Sequence, residues 1–280
     1  MRETEPPRVA PLPSPPAYAT IPAPPSTTSR VPAPRAMPPA EVIAQSRRMD
    51  GAGAARVEQD IARVLWLAAT ASQPAQERAI VDALRQGWPS NVGSSTTPGG
   101  ASGVARQLSE DARQTYMVHR DAQGALDLQL RAFGADPSDA DIAGNLAFLY
   151  LKQSPPQAEA ARQMAVHAIG VTPPLQRATR VDDWHTLAVA SALAGRAFDA
   201  TNAFYVAIAL TRSLDRSCKL ALVAVDRYGD RLVAPVHAMM QRIRQRGREY
   251  ESANCTWPPR WQSAGRTSGV VSSPADRFYQ

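Results

Sequence analysis

The chain has 280 residues, 44% apolar and 6% aromatic, with a formal charge of +6. No run approaches the roughly 18 apolar residues that a membrane-crossing helix needs. The opening residues, Met1 to Pro7, also lack the apolar core of a secretory signal, so the expectation is a soluble, cytoplasmic chain without membrane insertion. A start upstream of Met1 would reverse that compartment, because proline-rich stretches also serve as spacers behind membrane anchors.

Thirteen of the 25 prolines fall within residues 1–40. Proline removes backbone donors and locks φ, so this arm is expected to be disordered and extended, in polyproline II. The PxxP spacings Pro13 to Pro16 and Pro22 to Pro25 fit aromatic grooves, but they arise by chance in so proline-dense a stretch, and a plain spacer is the better reading.

Residues 41–89 hold a helical hairpin. Val57, Ile61, Val64, Leu65 and Ala68 recur at helical spacing over about 55–72. Pro74 then opens a second helix, Gly87 closes it, and Ile80, Val81 and Leu84 make its apolar stripe. This hairpin does not match the repeat found further along the chain; it either caps that array or packs elsewhere. Residues 90–104 are rich in Ser, Thr and Gly and read as a flexible linker that separates the hairpin from the rest.

Residues 105–250 read as helices in pairs, with a period of 34. Trp184 and Cys218, Gly195 and Gly229, and Ala200 and Ala234 are each 34 apart. The stretch 181–214 carries Trp184, Leu187, Ala188, Gly195, Ala200, Phe204 and Ala207. The stretch 106–139 has Tyr116, Ala125, Ala132 and a closing Asp136-Pro137, with Arg113 where a small residue is usual. The stretch 140–175 has Leu146, Ala147, Tyr150, Ala161, Ala168 and Pro173, with a longer turn at Ser154-Pro155-Pro156. A spacer from Pro174 to Arg180 precedes the third stretch. The fourth, 215–248, keeps Gly229 and Ala234 but has Cys218 and Gln241 at key positions, like a degenerate terminal repeat.

With these residues and this period, about half of the chain resembles the tetratricopeptide repeat (TPR) family. The fold that the resemblance implies is all-α: a short TPR-like α-solenoid of helix–turn–helix hairpins, with the disordered proline-rich arm in front. Each hairpin has an apolar face that it cannot bury alone, and stacking buries it.

The resemblance also implies a groove lined by the first helix of each pair. Carried over residue by residue, the groove positions are Gln107, Glu110, Gln114 and Met117 in the first repeat. They are Asp141, Phe148, Leu151 and Lys152 in the second, and Asp182, His185 and Val189 in the third. Some family members clamp a C-terminal carboxylate with lysine and asparagine in the first repeat. Glu110 and Gln114 stand there instead, and a glutamate repels a carboxylate, so binding of a chaperone tail is not expected.

No catalytic constellation accompanies these helices. GxSxG, P-loop, HExxH and GxGxxG are all missing. Asp182-Asp183 reads as helix-start acids that complement the dipole, and the Asp136 to Asp141 stretch reads as a turn and a helix start. The histidines His119, His167, His185 and His237 stand alone. Cys218 and Cys255 are the only cysteines, without zinc spacing. Cys218 reads as a reduced, buried small hydrophobe; the alternative is a disulfide with Cys255, which would imply an oxidising compartment. Arg242, Arg244, Arg246 and Arg248 read as a solvated helix C-cap rather than an anion patch. Residues 251–280, with Trp257, Trp261, Phe278 and Tyr279, read as a disordered tail or one packed along the last helix.

The expected function is a non-catalytic scaffold or adaptor that binds another protein, without cofactor or metal. Two alternatives stand beside it. One is a helical-repeat nucleic-acid binder, suggested by the net charge. Its basic residues are scattered arginines, Lys152 and Lys219 being the only lysines, and the groove positions hold three acids and one lysine, so it is disfavoured. The other is an assembly component of the bacterial envelope, for which a Cys218–Cys255 disulfide is the discriminating observation.

Overall fold

Among the described residues of the computed structural model, which are 51–71, 74–86, 101–211 and 214–245, every regular element is a helix. Residues 1–50, with the proline-rich arm and the start of the expected hairpin, residues 87–100, with most of the expected linker 90–104, and the tail from residue 246 lie outside them. No helix among the described residues is long and apolar enough to cross a membrane.

Helices α1 (Gly51–Thr70) and α2 (Pro74–Gln86) form the first hairpin. Proline is tolerated at the first position of α2 because the N–H it lacks has no partner within the helix. Four further pairs of neighbours come after it: α3 (Ala101–His119) with α4 (Ala122–Ala135), α5 (Ala140–Lys152) with α6 (Ala158–Val171), α8 (Val181–Leu193) with α9 (Ala197–Leu210), and α10 (Leu214–Tyr228) with α11 (Asp230–Gln245). A single helical turn, α7 (Pro174–Arg177), fills part of the long spacer before α8. Helix α3 begins at Ala101, inside the segment expected to be linker.

Local chemistry sets the breaks. Asp139 caps α5, its carboxylate accepting from the amides of Asp141 at 2.9 Å and Ile142 at 3.2 Å. The turns after α8 and α10 pass through Gly195 at φ +78 and Gly229 at φ +70, a region that glycine enters without steric cost.

One apolar cluster runs from Ile61 on α1 to Met240 on α11. Most of the residues that carry the repeat pattern lie inside it: Trp184, Leu146, Tyr150, Leu187 and Phe204 are all at most 2% exposed. From the second pair onward, the second helix of a pair also meets the pair that follows, α4 on α5, α6 on α8 and α9 on both α10 and α11.

The first hairpin is not held apart from this array. Helix α1 packs on α6 and α9, and α2 packs on α9 and α7. Gly170 of α6 lets α1 approach closely, since a Cβ there would sit 2.7 Å from a Val57 methyl. Tyr205 of α9 donates to Glu77 of α2 at 2.5 Å. Arg242 of α11 donates to the carbonyls of Ala68 and Ala69 at 2.9 and 3.1 Å, and its guanidinium lies 4.8 Å from the Tyr205 ring centroid. The expectation that Arg242 is a solvated cap is corrected: it is half-buried and caps the C-terminal end of a different helix. The hairpin thus covers α6 and α9, and the first helices α5, α8 and α10 keep a face free of it.

Candidate functional site

That face holds a cleft of about 540 Å³. Helices α5, α8 and α10 line it, together with Thr179 and Arg180 just before α8. Its apolar floor includes Phe148, Val189, Leu220 and Val223. Phe148, Leu220 and Val223 are 38, 40 and 53% exposed. Phe148 is steadied from outside by Tyr116, edge-on at 5.5 Å.

The three helices enter the cleft with their N-terminal ends together. Arg180 is the tie there. Its guanidinium pairs with Asp141 of α5 and Asp183 of α8, and donates to the Ala140 carbonyl at 2.8 Å. Arg216 of α10 donates to Asp182 of α8 at 2.7 Å. Gly144 leaves room for this network, since a Cβ there would overlap the Asp183 carboxylate. Burial pushes the Asp183 carboxyl up to about 6 against the pull of Arg180, with Asp141 and Asp182 adding repulsion.

The C-terminal ends meet at the other end of the cleft. Tyr228 of α10 donates to the Leu151 carbonyl of α5 at 2.7 Å. Lys152 lies with its Nζ 4.4 Å from the Phe148 ring centroid, and the Arg227 guanidinium lies 5.6 Å from that of Tyr228. Burial, helped by the Arg227 charge, pulls the Lys152 ammonium down to about 8. No described carboxylate forms an ion pair with Lys152 or Arg227, whereas Asp141, Asp182 and Asp183 are all taken up by Arg180 and Arg216.

His185 lines the cleft but is only 6% exposed. Its ring sits edge-on to Phe204 at 5.7 Å, and its Nε2 has no hydrogen-bond partner. Burial pulls its pKa down to about 4, so it is neutral near pH 7.

The expected groove residues divide. Asp141, Phe148, Leu151, Lys152, Asp182, His185 and Val189 come together in the cleft. Gln107, Glu110, Gln114 and Met117 sit on α3 and do not line it. Gln107 is tied to Asp111 at 2.9 Å, and Glu110 accepts from Arg113 at 2.6 Å and Gln114 at 3.3 Å.

The contribution of α10 was not anticipated, although the 34-residue period contains it. Arg216, Leu220 and Val223 fall one period after the cleft residues Asp182, Thr186 and Val189. Arg180 and Asp183 were also missed, one read as spacer and the other as a helix-start acid. Asp183 does lie in the first turn of α8, yet its carboxylate pairs with Arg180.

Cys218, on the same helix α10, is 1% exposed and disulfide-bonded. The expectation of a reduced thiol is therefore corrected, while that of burial stands. The other cysteine of the chain, Cys255, lies outside the described residues. No protein-family model, no curated protein and no solved structure matches the chain.

Proposed function

We propose that residues 105–250 are a short TPR-like solenoid and that the chain is a non-catalytic adaptor, holding a peptide segment of another protein in the cleft of α5, α8 and α10. The observation that carries this reading is the partly apolar cleft built from three consecutive first helices, with Phe148, Leu220 and Val223 exposed within it. Exposed apolar side chains gathered in a concave site, rather than scattered singly, mark places where something binds. The residues at its ends supply binding and orientation; the reading needs no cofactor.

The test is retention of a protein partner by the full chain, compared with the Leu220→Gln, Val223→Gln variant. Both substitutions are at accessible positions and leave the core alone. A discrete protein held through nuclease and high salt, and lost with the variant, is the expected result. Recovery of nucleic acid that vanishes at high salt would overturn the reading in favour of a nucleic-acid binder.

A second reading concerns the compartment. The disulfide at Cys218 favours an oxidising environment, such as the bacterial envelope, over the cytoplasm. In that setting the proline-rich arm would tether the adaptor and the repeats would dock the partner. Alkylation of the unfolded chain, in denaturant before and after reduction, tests this: no thiol modified before reduction and two after is expected, and two modified at the outset would sink it.

A further inference from the structure

We infer that the partner segment is an acidic–apolar peptide, with one internal Asp or Glu side chain seated between Lys152 and Arg227 and its apolar neighbours on Phe148, Leu220 and Val223. The inference rests on the adaptor reading above and names the chemistry of its partner.

The argument is one of charge complementarity within a single cleft. The cleft carries four cations, Lys152, Arg180, Arg216 and Arg227, and three acids, Asp141, Asp182 and Asp183. The acids are satisfied where the helices begin, by Arg180 and Arg216. The two cations left over stand at the opposite end, near enough that Arg227 disfavours the charged form of Lys152. A half-buried Lys152 beside the exposed Arg227 charge is relieved by an anion placed between them. Helix C-termini do favour cations, which accounts for one at each end of α5 and α10. It does not account for both lining one cleft without an ion-paired carboxylate among the described residues, when the acids of the same cleft are paired.

The aromatic surroundings select the kind of anion. Phe148 under the Lys152 ammonium and Tyr228 beside the Arg227 guanidinium make an apolar frame that suits a carboxylate on a peptide. A continuous polyanion would have to run on toward Asp141, Asp182 and Asp183, where the charge turns against it. An acidic residue followed by apolar ones meets cations first and the exposed Leu220 and Val223 next.

The experiment selects phage-displayed random 12-residue peptides on the full chain and measures the synthetic winners by fluorescence anisotropy. Three proteins are compared: the unaltered chain, the Lys152→Met, Arg227→Gln variant, and the Leu220→Gln, Val223→Gln variant, each checked for native circular dichroism. The expected winners carry an acidic residue among aromatic or aliphatic ones. They lose tenfold or more on the Lys152→Met, Arg227→Gln variant, lose affinity on the Leu220→Gln, Val223→Gln one, and weaken between 50 and 500 mM salt. Winners that are neutral or basic, or that ignore the Lys152→Met, Arg227→Gln variant while still needing Leu220 and Val223, overturn the inference and leave the adaptor reading standing. Winners indifferent to every cleft variant overturn both. A 12-nucleotide single-stranded DNA that binds more tightly than any winner, and needs Lys152 and Arg227, overturns it in favour of nucleic acid.

Discussion

The two ends of the cleft use the same ingredients differently. Where α5, α8 and α10 begin, Arg180 joins Asp141 to Asp183 and Arg216 joins Asp182, so each acid has a cation. Where α5 and α10 end, Lys152 and Arg227 both line the cleft beside aromatic rings, and no carboxylate among the described residues pairs with either. The first end resembles a structural clasp between consecutive helices. The second is left electrostatically incomplete. Charge alone therefore does not distinguish the two ends; whether each charge has a partner does.

The sharpest way to break this contrast is to remove the clasp. Arg180 and Asp183 have side chains only 16% and 9% exposed, and stripping one member of a buried pair leaves the other charge stranded. Arg180→Ala is expected to cost about 3 kcal/mol in denaturant unfolding. Adding Asp183→Asn should recover much of that loss, since an amide can stay buried without a charge. A loss below about 0.5 kcal/mol would mean that the clasp is ornamental.

The next effect comes from protonation. His185 is held neutral by burial, its pKa pulled down to about 4 from an ordinary 6.5. The stability it lends is whole above pH 6.5 and drains as pH falls toward 4, by roughly 3 kcal/mol at the lower limit. Asp183 runs the other way, because its raised pKa favours folding at low pH and that contribution is lost as pH climbs toward 6. Comparing melting temperatures of the chain and of His185→Phe from pH 7 to pH 4 isolates the histidine. The native chain should lose stability faster than the variant on acidification, and parallel curves would refute the assignment.

The smallest effect lies at the open end. Lys152→Met removes a charge that pairs with no described carboxylate and whose Nζ lies 4.4 Å from the Phe148 ring centroid. It is expected to be neutral or stabilising by up to about 1 kcal/mol, unlike Arg180→Ala. A clear destabilisation in the same denaturant titration would show that Lys152 is a structural cation after all.

How far the sequence revealed this site depended on the range of the interaction. Asp141, Phe148, Lys152, Asp182 and Val189 were legible only through the resemblance to a repeat family, which assigns one helix face of each pair to a groove. The same period reached Leu220 and Val223, but Cys218 and Gln241 made the fourth stretch look degenerate and hid it. Glu110 and Gln114 were placed in the groove by that logic too; they face Arg113 and each other on α3 instead. Arg180 was illegible, because nothing local says that a spacer arginine will bridge to Asp141, 39 residues earlier.

The sequence by itself determined the all-helical character, the cap at Asp139, the turns at Gly195 and Gly229 and the apolar faces, all set by interactions within a few residues. Tertiary structure alone decided that α1 lies on α6 and α9 and that Arg242 caps a helix 174 residues away in sequence. It alone brought Lys152 and Arg227 together. Such contacts depend on how packed surfaces fit and where they exclude water, and no spacing along the chain encodes that.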